Sequence, residues 1–99
     1  MAKVYITEHQ LPRYHLGSPL PVLASPPLAS QTVTIGGASV QSAAFNTDTK
    51  IVCVHTDAIC SVEFGASPTA TANSRRLAAN STEFFEVSVG HKIAVITNT

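Results

Sequence analysis

The sequence predicts an all-β chain: a small antiparallel β-sandwich of about six or seven strands with an extended, proline-rich N-terminal arm. Three observations carry this expectation. From Gln31 onward the apolar residues recur with period two, the spacing of a half-buried strand. Turn-forming residues punctuate that stretch at Gly36-Gly37, Asn46-Thr47-Asp48, Gly65 to Pro68, Asn80-Ser81 and Gly90. Five of the six prolines fall between Pro12 and Pro27. Proline fixes φ, lacks an amide donor and restricts its predecessor, so His9 to Ser30 is expected to form neither a helix nor an inner strand. The chain thus divides into an N-terminal strand with its arm, residues 1–30, and a β-sandwich body, residues 31–99.

Taken in order, Met1 to Thr7 reads as a short strand with Val4 and Ile6 on one face and Lys3, Tyr5 and Thr7 on the other. The arm then carries Leu11, Tyr14, Leu16, Leu20, Val22, Leu23 and Leu28. A solvated linker would be poor in such residues, so these are candidate interface positions for a partner chain. The body's expected strands are Gln31 to Ile35, Ser39 to Phe45, Lys50 to Thr56, Ala58 to Phe64, Thr82 to Val87 and Lys92 to Thr97. Ala66 to Asn73 is a low-complexity surface loop, and a short helix or turn is expected around Ser74 to Ala79. Arg75 and Arg76 are the only adjacent cations. They could clamp a carboxylate on a neighbouring subunit, or simply be solvated.

Lys50 to Phe64 is the most explicit piece. A two-residue turn at Thr56-Asp57 would set Lys50 opposite Glu63, Val54 opposite Ile59 and Cys53 opposite Cys60. One face then carries Ile51, Cys53, His55, Ala58, Cys60, Val62 and Phe64, nearly all apolar. Thr-Asp is not, however, among the pairs that favour a type I′ turn.

Composition limits the function. Ninety-nine residues make one domain, and the body without its arm has about 70, a size at which one core is marginal without staples or oligomerisation. Charged residues are 12% of the chain, against about 25% in ordinary domains. Six Lys and Arg balance six Asp and Glu with no run of either sign. That balance argues against nucleic acid and anionic membrane, both of which demand clustered positive charge. Few charges and near-zero net charge suit a homo-oligomeric subunit whose surface becomes covered. MAKVYITEH has neither an apolar core nor a small-residue cleavage site, so synthesis in the cytoplasm is expected, and no apolar stretch approaches a membrane span.

The chemistry-bearing residues are sparse. In the expected register Cys53 and Cys60 form a hydrogen-bonded pair, whose spacing strains a bridge, so two buried free thiols are expected rather than a disulfide. Cys53, His55 and Cys60 on one face suggest a metal site, but the spacing is not that of a zinc centre and a fourth ligand is missing. No cofactor is called for. Neither a G-x-S-x-G elbow nor an S-x-x-K motif occurs. The carboxylates Glu8, Asp48, Asp57, Glu63, Glu83 and Glu86 are placed at turns or alternating outward, so no enzyme is expected. Phe45, Phe64 and one of Phe84 and Phe85 should fill the core. The other of that pair must face outward and would make an interface anchor.

From about Pro27 to Ile96, the segments PPLASQTVTIGGASVQSAAFNTDT, VHTDAICSVEFGASPTATANSRRLAAN and TEFFEVSVGHKIAVI resemble small structural proteins of the virion-morphogenesis modules of tailed bacteriophages. The resemblance covers roughly the last two-thirds of the chain. It implies a β-sandwich-like virion subunit, a head decoration or cement protein that binds the major capsid protein or other virion proteins, with no catalytic residues. A tail or head-fibre component, or a small soluble module binding glycan or protein, is the alternative.

Overall fold

The structure, a computed structural model, describes residues 2–10, 14–15, 18–19 and 27–99. Its strands are β1 (Lys3–His9), β2 (Tyr14–His15), β3 (Ser18–Pro19), β4 (Ala29–Thr34), β5 (Val40–Gln41), β6 (Ile51–Thr56), β7 (Cys60–Gly65), β8 (Arg75–Leu77), β9 (Ser81–Glu86) and β10 (Lys92–Thr97). Two antiparallel four-stranded sheets, ordered β4-β1-β6-β9 and β5-β10-β7-β8, pack as a small β-sandwich, and β2 pairs with β3. No helix occurs among the described residues. The all-β expectation holds, with eight strands in the two sheets.

Period-two alternation builds the core. Val4 and Ile6 of β1, Val33 of β4, and Val52 and Val54 of β6 point inward from the first sheet. Cys60 and Val62 of β7, Leu77 of β8, and Ile93 and Val95 of β10 meet them from the second. Phe45, Phe64 and Phe85 follow one another as tilted rings, with centroids 6.4 and 4.9 Å apart. Phe84, one residue along, stands outside at 60% exposure. The expected division of labour between the two adjacent phenylalanines is therefore present.

The expected Lys50–Phe64 hairpin is not. β6 belongs to the first sheet, between β1 and β9, and β7 to the second, between β10 and β8. Residues 57–59 are a corner between sheets. The Thr56 hydroxyl holds it, donating to the Ala58 carbonyl at 2.6 Å and accepting the Ala58 amide at 3.3 Å. That local side-chain turn replaces the missing type I′ pair. Val54 lies opposite Ile6 and Glu83, and Cys53 opposite Thr7 and Phe84. Cys60 faces Leu77 and Thr97. The phase of β6 is also reversed: Val52, Val54 and Thr56 are fully buried, while Ile51, Cys53 and His55 face outward and are half-buried. For β7 the inward Cys60 and Val62 stand as expected. Lys50 and Glu63 do not pair: Glu63 accepts the Ser74 hydroxyl at 3.2 Å.

Three further boundaries move. Ser74 to Ala79 holds the strand β8, because its backbone finds partners on β7. Ser39 to Phe45 is a strand only at Val40–Gln41. β1 runs on to His9 and is an inner strand, since β4 and β6 both pair with it and the prolines begin only beyond it. The chain leaves the first sheet after His9 and re-enters beside it, where the Leu28 amide donates to the Glu8 carbonyl at 2.7 Å. The proline-rich segment is therefore an excursion between two neighbouring strands.

Candidate functional site

The two sheets present outer faces of different character. On the first, cross-strand rows run Thr32–Tyr5–His55–Thr82 and Ser30–Thr7–Cys53–Phe84. His9, Ile51 and Glu86 form the next row. Apart from the histidines, only Lys3 and Glu86 bring charge to the outward positions of these four strands. Tyr5 is 44% exposed, with its ring 6.3 Å from that of His55, whose Nδ1 lies 2.9 Å from the Thr82 hydroxyl. A shallow depression beside them is lined by Tyr5, Ile6, Thr7, Ser30, Gln31 and Thr32. Along these rows Tyr5 and Phe84 stand exposed, whereas His9 is buried.

The second sheet is covered by its own chain. Ser61 and Ala94, on its outer side, are fully buried. The cover is the 66–74 loop, in which Pro68 and Ala70 are buried. Polar side chains fasten it down. Asn98 donates to the Ser61 hydroxyl at 2.6 Å and to the Ala72 carbonyl at 3.2 Å. Gln41 donates to the Pro68 carbonyl at 2.8 Å, and the Ser39 hydroxyl accepts the Ala70 amide at 2.9 Å. A segment that reads as plain surface connection thus acts as a lid on one face.

Polar clasps close the open sides of the sandwich. Arg75 crosses from β8 to β9, pairing with Glu83 at 2.9 Å and lying 5.0 Å above the Phe85 ring. Both ionic groups are partly exposed, so the pair contributes under about 1 kcal/mol, and its larger effect is to cover Phe85. Arg76 is exposed, with Nε donating to the Thr99 carbonyl at 3.3 Å. Of the candidate clamp residues, Arg75 is thus engaged within its own chain. On the other side, Gln31 exchanges hydrogen bonds with the backbone of Ala43 at 2.9 and 3.3 Å.

Of the arm's candidate interface residues, Leu28 is 41% exposed. Leu11, Leu16, Leu20, Val22 and Leu23, and the side chain of Tyr14, lie outside the described residues. Cys53 and His55 point away from the core and Cys60 into it, so the three do not converge. Among the described residues no three His, Cys, Asp or Glu side chains gather as metal ligands. Both thiols are free. Burial pushes the Cys60 thiol above its ordinary pKa, partly offset by the Thr56 hydroxyl 3.5 Å away.

Two carboxylates expected to face outward do not: Glu83 is on the inward side of β9, opposite Val54, and Glu8 is buried. Glu8 is 2% exposed, on the inner side of β1 in phase with Val4 and Ile6. Its Oε1 accepts the Asn46 amide at 2.7 Å and the Thr49 hydroxyl at 2.8 Å, and Gln31 donates to Oε2 at 3.4 Å. These bonds stand in for lost hydration and tie the 46–49 turn to the root of the excursion. Continuing the alternation of β1 by two residues beyond Ile6 would have found it. His9, also buried, has its Nε2 2.9 Å from the Thr7 hydroxyl, and its Nδ1 has no partner among the described residues.

No described helix is long and apolar enough to cross a membrane. No protein-family model matches this chain, and neither a curated protein nor a solved structure does.

Proposed function

We propose that this protein is a non-enzymatic structural subunit of a tailed-phage virion, a decoration or cement protein that docks on the capsid lattice through the outer face of its first sheet. The observation that carries the reading is the asymmetry of the sandwich. Among the described residues, one face is covered by the chain's own loop, and the other keeps Phe84 and Tyr5 exposed. Hydroxyls and aromatic edges with few charges cost little to desolvate, and an exposed aromatic makes a natural anchor. The resemblance of the chain to virion-morphogenesis proteins supplies the class of partner. On a repeating lattice each copy need contribute only a modest interface, because avidity multiplies weak contacts.

The test is sedimentation with intact particles assembled in the presence of the chain. The wild type is expected to pellet with them at a fixed ratio. Phe84→Ser should weaken binding at least about tenfold, while its melting temperature stays near that of the wild type. A wild type that remains in the supernatant overturns the reading.

The depression beside Tyr5 favours a second reading, a module that binds glycan, because an aromatic ring ringed by hydroxyls suits a sugar's apolar and polar sides. Saturable binding on a glycan array, lost in Tyr5→Ala, would select it.

A further inference from the structure

We propose that β4 is a homodimerisation edge, through which two copies pair antiparallel about a twofold axis at Thr32. Among the described residues, β4 is an end strand of the first sheet, bonded only to β1. The Ile35 amide donates to the Ala2 carbonyl at 3.0 Å, in register with the Lys3↔Thr34 to Glu8↔Ala29 ladder. Hydrogen-bonded pairs alternate in such a ladder, so Gln31 and Val33 turn their amides and carbonyls toward β1. Ser30, Thr32 and Thr34 turn theirs outward. All three are exposed, and among the described residues no backbone group meets them.

Free edges of this length are normally blunted by a lysine, a proline, a bulge or a covering segment. β4 has no charge and no proline, and no Asp, Glu, Lys or Arg stands between Arg13 and Asp48. The sheet's opposite edge, β9, carries Glu83 and Glu86 and is crossed by Arg75. The end strands of the second sheet, β5 and β8, are only 2 and 3 residues long.

A second copy of β4 satisfies these outward groups. With the axis at Thr32, that residue pairs with its own counterpart, Ser30 with the other copy's Thr34, and Thr34 with its Ser30. Every outward amide and carbonyl then finds a partner. On the open face the same register sets threonine beside threonine and serine beside threonine, pairings that favour strand association. A twofold axis brings like onto like, and a charge near it would meet itself. β4 offers none, so the match is electrostatically neutral. The joined sheets would extend the open face across both copies. This inference does not depend on what that face binds.

Sedimentation of the full chain across a concentration series, with residue-resolved hydrogen exchange, tests it. The expected result is a monomer–dimer equilibrium in which the Ser30, Thr32 and Thr34 amides slow as concentration rises, while the β9 amides keep their rates. Thr32→Lys places like charges across the axis and should raise the dimer Kd at least tenfold. Thr32→Pro removes an outward donor that an edge strand can spare, and should do the same. Thr82→Lys, on the far edge, should leave the equilibrium unchanged. A wild type monomeric at every concentration up to about 1 mM overturns the proposal. So does a dimer whose β4 amides exchange as in the monomer, or one indifferent to Thr32→Lys. Should either variant fail to fold, the exchange pattern of the wild type still decides.

Discussion

The outer faces of the two sheets started from similar raw material and ended differently. Both are β-surfaces with small and hydroxyl-bearing residues near their centres: Thr7 and Cys53 on the first sheet, Ser61 and Ala94 on the second. The second recruits Pro68 and Ala70 as a cover and pins it with Asn98 and Gln41. The first keeps Phe84 and Tyr5 in solvent. Among the described residues, a covering loop lies on one face, and the other keeps two aromatic side chains exposed. The difference is testable at several depths.

The sharpest test lies in β6, which separates the open face from the core residue by residue. Val54→Asp would bury an unpaired charge, and is expected to cost more than about 4 kcal/mol and unfold the domain. Cys53→Asp, one position along on the open face, should cost less than about 2 kcal/mol by urea denaturation. A reversal of the two would show that the faces of β6 are exchanged.

Glu8→Ala tests the layer beneath the open face. It leaves the Asn46 amide and the Thr49 hydroxyl without an acceptor, and should cost about 2–4 kcal/mol by urea denaturation. Glu8→Gln, which still offers an amide oxygen, should recover part of the loss. Equal loss in both variants would mean that the carboxylate's charge, not its acceptor atoms, holds the turn.

The cover itself is tested by Asn98→Ala. The Ser61 hydroxyl and the Ala72 carbonyl lose their shared donor, and the expected cost is about 1–2 kcal/mol, with faster proteolysis within residues 66–74. A stability change too small to measure would show that the loop is held elsewhere.

The smallest effect concerns the thiols. Cys53 should be alkylated in the native protein, and Cys60 only on unfolding. Because burial raises the Cys60 pKa, the unfolded chain loses this proton first as pH rises. The group's stabilisation is therefore complete below the ordinary cysteine range and fades as pH climbs through the folded value. Cys60→Ala should flatten that alkaline decline in denaturation midpoints measured between about pH 7 and pH 10. An unchanged slope would remove Cys60 as its source.

How much of this was legible follows from the range over which each signal acts. Alternation is local, so most strands, the all-β class and the split between Phe84 and Phe85 could be read directly, while the three-residue β8 is too short to show a period. Pairing is not local. Lys50 and Glu63 invite a hairpin because they are near in sequence, but β6 finds its neighbours in β1 and β9. The 66–74 cover carries no periodicity, and its small residues look the same in solvent or against a sheet. Glu8 was misread because its burial depends on Asn46 and Thr49, which a remote turn delivers. The candidate face was legible only in pieces, through Phe84 and through Tyr5 and Thr7 opposite Val4 and Ile6, since its members are gathered from four separate strands.

From β4 onward, only the β7–β8 connection joins strands of the same sheet; every other step crosses the sandwich. The chain therefore cannot assemble one sheet and then lay the other upon it. Val4 must wait for Thr56 to be synthesised and delivered, and Gln41 for Ala94. Such non-local wiring delays the reward for closing each loop until most of the chain is in place, which makes folding slow and strongly cooperative. During that interval the uncharged β4 edge would be exposed to other unfinished copies of the chain.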